Sequence, residues 1–195
     1  MPVTLACVRK GDKYSAEYVQ RLQRGIARHM PHKDWEFVCL TDRHMPGILC
    51  ESLTENLPGW WSKIELFKMG EPLIYFDLDV VITGSLAPLL DWEGFGIIKD
   101  WWLPGFNSSV MKLTGNEGFV FDEFLPEDMS RCYMGDQQWI SEELSGAKTF
   151  PPAWFPSYKA GRHFAEPPKG GIACIFHGAP KPSEITDGWV AELWA

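Results

Sequence analysis

The residues best suited to chemistry in this 195-residue chain are two aspartates one position apart, Asp77 and Asp79. They close the apolar run Leu73-Ile74-Tyr75-Phe76, which reads as a strand buried on both faces. On an extended chain alternate residues share a side, so both carboxylates would project together. Like charges at the end of a core strand repel and resist desolvation. A hard divalent cation such as magnesium or manganese relieves both costs. One expectation is therefore a metal site at the C-terminal end of a central strand, where open α/β sheets place their ligands. The other is a strand that simply runs out into an acidic turn. A second apolar run, residues 172–176, ends in His177, with Lys181 four residues further on. Carboxylates with one imidazole form a reasonable manganese site, and Lys181 would reach phosphate oxygens on the same metal.

The elements that must hold these residues follow the pattern of an α/β protein. Residues 3–8 read as a first buried strand. Tyr14, Tyr18, Leu22 and Ile26 recur every four residues with Arg21, Arg24 and Arg28 off that stripe, which predicts an amphipathic helix of about four turns. Residues 35–40 predict a second strand, and strand–helix–strand in this order suggests a right-handed parallel unit. Residues 47–53 suggest a weaker third strand. Residues 60–69 predict a helix on which Lys63 falls between Leu66 and Phe67, inside the apolar arc. That leaves two readings: a lysine snorkelling along apolar surface, or an ammonium held near an anion at the strand ends.

After the acidic doublet, residues 85–90 suggest a helical turn, 95–98 a strand, 106–113 a segment that starts polar and becomes strand-like, and 117–124 a helix. Gln137 to Leu144 reads as a helix with Asp136 as N-cap. Residues 150–171 are rich in Pro, Gly and aromatics and predict loops over the site. No repeat or linker interrupts the chain, so residues 1–195 form a single domain.

Composition narrows the function. Ten Trp and twelve Phe imply large aromatic contact surfaces, and a formal net charge of −8 excludes the basic footprint of a nucleic-acid binder. Five Cys occur without a CxxC pair; Cys7, Cys39 and Cys174 fall in apolar runs and read as reduced core thiols. No signal pattern or long apolar span appears, so a cytoplasmic protein with no integral membrane segment is expected.

Five blocks, taken in order, resemble the nucleotide-diphospho-sugar glycosyltransferases of GT-A fold, most closely family 8 (glycogenin and lipopolysaccharide galactosyltransferase-like). Ser62-Lys63-Ile64-Glu65-Leu66 is similar to the family's donor-contacting basic helix. Tyr75-Phe76-Asp77-Leu78-Asp79 is similar to its metal-binding DxD strand. Phe106-Asn107-Ser108-Ser109-Val110-Met111 resembles its Phe-Asn-Ser-Gly-Val segment near the sugar, with Ser109 in place of Gly. Gly135-Asp136-Gln137 resembles its Asp-Gln block, and His177-Gly178-Ala179-Pro180-Lys181-Pro182 its His-x-Gly-x-x-Lys-Pro element, one residue short between His177 and Gly178.

The resemblance implies a Rossmann-like GT-A domain with a mixed central sheet flanked by helices. It implies transfer of a sugar from a nucleoside-diphosphate sugar, a UDP-sugar, to a glycan, lipid or protein acceptor, with retention at the anomeric carbon. It makes Asp77, Asp79 and His177 the ligands of Mn2+ or Mg2+. Lys63, Asp77, Asn107, Ser108, Gly178 and Lys181 become donor-binding residues, and Asp136, Gln137 and Lys63 catalytic ones. Two rival readings stand beside it. Phe76-Asp77-Leu78-Asp79-Val80 also resembles the nucleophile motif of haloacid-dehalogenase-type phosphatases, although 76 residues precede that aspartate and Gln137-Gln138 stand where a second acid is expected. The Trp-rich surface of Trp60, Trp61, Trp101, Trp102 and Trp154 would equally suit a non-catalytic sugar-nucleotide or glycan binder.

Overall fold

The computed structural model describes residues 2–195. Strand β1 (Val3–Arg9) leads into helix α1 (Ala16–His29) and back into β2 (Trp35–Thr41). β2 pairs parallel to β1, and β3 (Leu49–Ser52) adds a parallel edge. β4 (Leu73–Phe76) pairs parallel to the other side of β1. Helical turn α2 (Ala87–Leu90) then leads to β6 (Gly96–Lys99) and β7 (Phe106–Leu113). β7 pairs antiparallel to β4 and β6 antiparallel to β7, so β7 alone is reversed in the mixed order β3-β2-β1-β4-β7-β6.

β4 is an interior strand, and its side chains divide between two cores. Ile74 and Phe76 pack with Leu5, Phe37 and the α1 residues Val19, Leu22 and Ile26 on one face. Leu73 and Tyr75 pack on the other with Met111, Ile64, Leu66, Phe67 and Trp139. The two-residue period of a strand makes this division, so a run apolar at every position is what a doubly covered strand requires.

The last strand, β8 (Ala173–Ile175), does not join this sheet. It pairs antiparallel with the short β5 (Val80–Ile82), with Val80 opposite Ile175. That register carries the chain after β8 alongside the acidic doublet.

Two helices differ from their sequence patterns. Residues Gly59–Met69 form a 3₁₀ helix with Trp61 to Phe67 all buried, so it has no solvated face for Lys63 to escape to. The helix α5 (Asp136–Glu143) is capped by Gly135, whose φ of 76° suits glycine, and Asp136 is its first residue rather than its N-cap. The short helices α3 (Phe119–Asp122) and α4 (Asp128–Arg131) precede it, and α6 (Gly188–Leu193) ends the fold. Cys7, Cys39 and Cys174 are free and buried, as their apolar surroundings imply. No helix among the described residues is long and apolar enough to cross a membrane.

Candidate active site

At the C-terminal ends of β1 and β4 a cleft of about 400 Å³ is lined by Lys63, Asp77, Asp79, Asn107, Ser108, Asp136, Gln137, His177, Gly178 and Lys181. Every site residue expected from sequence thus meets in one cavity. Antiparallel pairing is what brings the polar start of β7 to the acidic end of β4: Phe76 lies opposite Val110, and the Asp77 amide donates to the Ser109 carbonyl at 2.8 Å.

The doublet does not run on as an extended chain. β4 ends at Phe76, and the Val80 amide closes a turn onto the Asp77 carbonyl at 3.3 Å. The two carboxylates consequently serve different partners. Asp77 Oδ1 accepts from Lys63 Nζ at 2.9 Å and from the Tyr75 hydroxyl at 2.5 Å. Asp79 Oδ2 accepts from the Tyr14 hydroxyl at 2.8 Å and from Lys181 Nζ.

Lys63 is the hub. Its buried ammonium also meets Asp136 Oδ2 at 3.1 Å and Ser108 Oγ at 2.9 Å, and it lies 5.3 Å from the Tyr75 ring centre. Ser108 Oγ in turn donates to Asp136 Oδ2 at 2.6 Å. Burial works against the charge on Lys63, but Asp136 and Asp77 outweigh it and raise its pKa. Burial likewise opposes ionisation of Asp77, yet Lys63 and the Tyr75 hydroxyl hold its carboxyl below the usual carboxylate range. Of the two readings of Lys63, the paired ammonium is the one the fold builds.

His177 is fixed from two sides. Its Nε2 lies 2.6 Å from Ser157 Oγ, which also accepts from the Ala160 amide at 3.0 Å. Trp101 stacks on the ring at 5.2 Å and Trp102 meets it edge-on at 4.6 Å. Burial, then the nearby Lys159 ammonium, pushes the imidazole below its ordinary pKa. A depressed folded-state value means that stability falls as pH drops through the unfolded value of about 6.5. The expected NMR titration midpoint of the His177 ring lies below that value; a midpoint at or above it would mean that Asp100 and Asp79 outweigh burial and Lys159.

A divalent cation needs several hard donors converging on one point. As the side chains stand, no three His, Cys, Asp or Glu among the described residues are clustered closely enough to hold one. The types nevertheless fit: two carboxylates and an imidazole kept neutral by burial line one cleft. Lys63 and Lys181 pair with three carboxylates, Asp77, Asp79 and Asp136, while Lys10 and Lys13 also line the cleft. Asp79 Oδ1 has no hydrogen bond among the described residues, and the Ser157 contact on Nε2 is the kind that orients a ligating imidazole.

Sequence reasoning missed the roles of Tyr14, Tyr75 and Ser157; Trp101, expected in an aromatic binding surface, stacks on His177. Tyr14 was counted in the helical stripe, but α1 begins at Ala16 and the hydroxyl turns to Asp79 instead. Ser157 comes from the predicted loop segment 150–171, where no periodicity marks any one residue.

No protein-family model matches the chain, and no curated protein does. Solved structures do. The glycosyltransferase GlyE of Streptococcus pneumoniae TIGR4 superposes with a TM-score of 0.74 at 14% identity, over 100% of this chain and 60% of that one. An active-site mutant of LgtC superposes at 0.72 and 14% identity, covering 98% of this chain and 94% of that chain. The galactosyltransferase LgtC in complex with donor and acceptor sugar analogues gives 0.66 at 13% identity, covering 92% and 89%. The chain spans about three fifths of the length of GlyE and nearly all of LgtC. It has the GT-A glycosyltransferase fold, with a mixed six-strand sheet flanked by helices.

Proposed function

We propose that the chain transfers a sugar from a nucleoside-diphosphate sugar, a UDP-sugar, to an acceptor hydroxyl with retention at the anomeric carbon. The carrying observation is the single cleft in which Lys63, Asp77, Asp79, Asp136, His177 and Lys181 converge at the end of β4. Asp77, Asp79 and His177 would hold a manganese or magnesium ion, which when bound stabilises negative charge on a departing diphosphate. Lys63 supplies a fixed positive charge whose orientation is set before substrate arrives, because Asp77, Asp136 and Ser108 grip it on three sides. Lys181 supplies a second positive charge, held by a single carboxylate. Bound to Asp79 in the free protein, it is able to exchange that carboxylate for a phosphate oxygen. Asn107, Ser108 and Gly178 line the donor's path, with Gly178 at φ 71°.

Asp136 and the Gln137 amide orient the transferred sugar and steady the cationic character at its anomeric carbon. The bond from that carbon to the diphosphate oxygen breaks as the acceptor oxygen attaches on the same face. The acceptor's proton passes to the leaving phosphate, so no side-chain base is needed.

In the absence of acceptor, water should take its place slowly. The expected result is slow, manganese-dependent release of free sugar and intact UDP from a UDP-sugar, with no inorganic phosphate. His177→Ala should reduce the rate by at least about tenfold. Phosphate released from simple phosphomonoesters, dependent on Asp77 and indifferent to His177, would overturn the proposal in favour of a phosphatase.

A further inference from the structure

Three large apolar side chains line the cleft yet stand exposed to solvent: Trp60 at 59%, Tyr133 at 94% and Met134 at 37%. Packing does not explain them. Trp60 lies in the first turn of the 3₁₀ helix, just before the buried stretch Trp61 to Phe67, while Tyr133 and Met134 lie in the loop leading to α5. Gly135 brings the two together. A Cβ there would stand 2.5 Å from Trp60 Nε1, so only a glycine lets the indole close over this loop. The exposed rings therefore border the cleft directly beside Asp136 and Gln137. Gln137 lines it too, and among the described residues its carboxamide makes no hydrogen bond.

We propose that Trp60 and Tyr133 form the acceptor subsite, and that it takes the terminal pyranose of an uncharged glycan; this rests on the glycosyltransferase reading above. A pyranose has an apolar face of axial C–H groups and an equatorial belt of hydroxyls. The aromatic faces match the first by the attraction of C–H hydrogens to the negative ring face. The Gln137 carboxamide and the Asp136 carboxylate match the second, offering both donor and acceptor groups. Gly59, Trp60, Tyr133, Met134 and Gln137 offer an anionic group no cation of their own, and Lys63 beside them is already paired with Asp136 and Asp77. The rings are few, rigid and already exposed, so they bind a sugar face without ordering a long side chain.

Saturation-transfer NMR on the full chain tests this with methyl β-galactopyranoside, methyl β-glucopyranoside and lactose, each with and without UDP and manganese. The axial ring protons should carry the strongest saturation. Trp60→Ala and Tyr133→Ala should each weaken sugar affinity by about tenfold, whereas Trp60→Phe, which keeps an aromatic face, should retain most of it. Both positions are solvent-exposed, so the variants should fold, which circular dichroism checks. Three outcomes overturn the assignment: no saturation of any of the three sugars on wild-type protein, unchanged affinity in both alanine variants, or loss of UDP affinity in place of sugar affinity, which would mean that the rings stack a nucleobase. Failure of wild-type protein to bind UDP would instead overturn the donor reading. The sugar signals recorded without UDP read the platform separately.

Discussion

Asp79→Ala is expected to lower manganese-dependent affinity for UDP by roughly 100-fold or more. Asp79 is almost fully buried, and it anchors both the Tyr14 hydroxyl and the Lys181 ammonium. Its removal deletes a proposed cation ligand and also releases Lys181 from its resting place. Asp79→Asn separates the two effects. The amide keeps the shape and an acceptor oxygen for Tyr14 but not the charge, so its loss of affinity should approach that of alanine. Calorimetric titration of UDP with manganese and then with excess chelator gives the answer. Equal affinity under both conditions in wild-type protein would remove the cation from the donor site.

Lys63→Met is expected to cost about 3–5 kcal/mol of folding stability at neutral pH as well as donor binding. The helical pattern alone suggests that methionine, with a similar stem volume, would leave the fold intact. The structure says otherwise, because Lys63 is the shared counter-charge of Asp77 and Asp136 in a buried setting. Without it, the Asp77 and Asp136 carboxylates lose their shared cation and keep Ser108, Ser109 and Tyr75 as partners.

The pH dependence separates charge from packing. The depressed Asp77 pKa means that its contribution is present above the unfolded value and is lost as pH falls through about 4 toward the folded one. The raised Lys63 pKa means that its contribution is present below an unfolded value of about 10.4 and is lost as pH rises through the folded one. Urea denaturation should therefore show the largest wild-type-to-variant gap between these limits and a smaller one near pH 3. An equal gap at pH 3 and pH 7 would show that only the apolar stem mattered.

Much of this protein is local enough to be decided by sequence alone. The four-residue apolar run of β4, the stripe of α1 and the order of motifs need only short-range patterning, because strand and helix periods are properties of neighbouring residues. Even the residues of the cleft were identifiable by type: acids, an imidazole and two lysines at element ends.

What tertiary structure alone decided is how these residues pair. Asp77 and Asp79 were expected to face one way; the turn after Phe76 sends one to Lys63 and the other to Lys181, 102 residues away. The strand before His177 was expected only as a strand, and its pairing with β5 outside the main sheet is what sets the ring near the doublet. The 3₁₀ helix buried Lys63 by covering all its sides, which a helical wheel does not anticipate. Tyr14, Ser157 and Tyr133 carry no local signature of a site, and Trp60 stands out only as one member of a Trp-rich set. Their roles arise from register, turn geometry and one glycine contact, and those depend on segments distant in the chain.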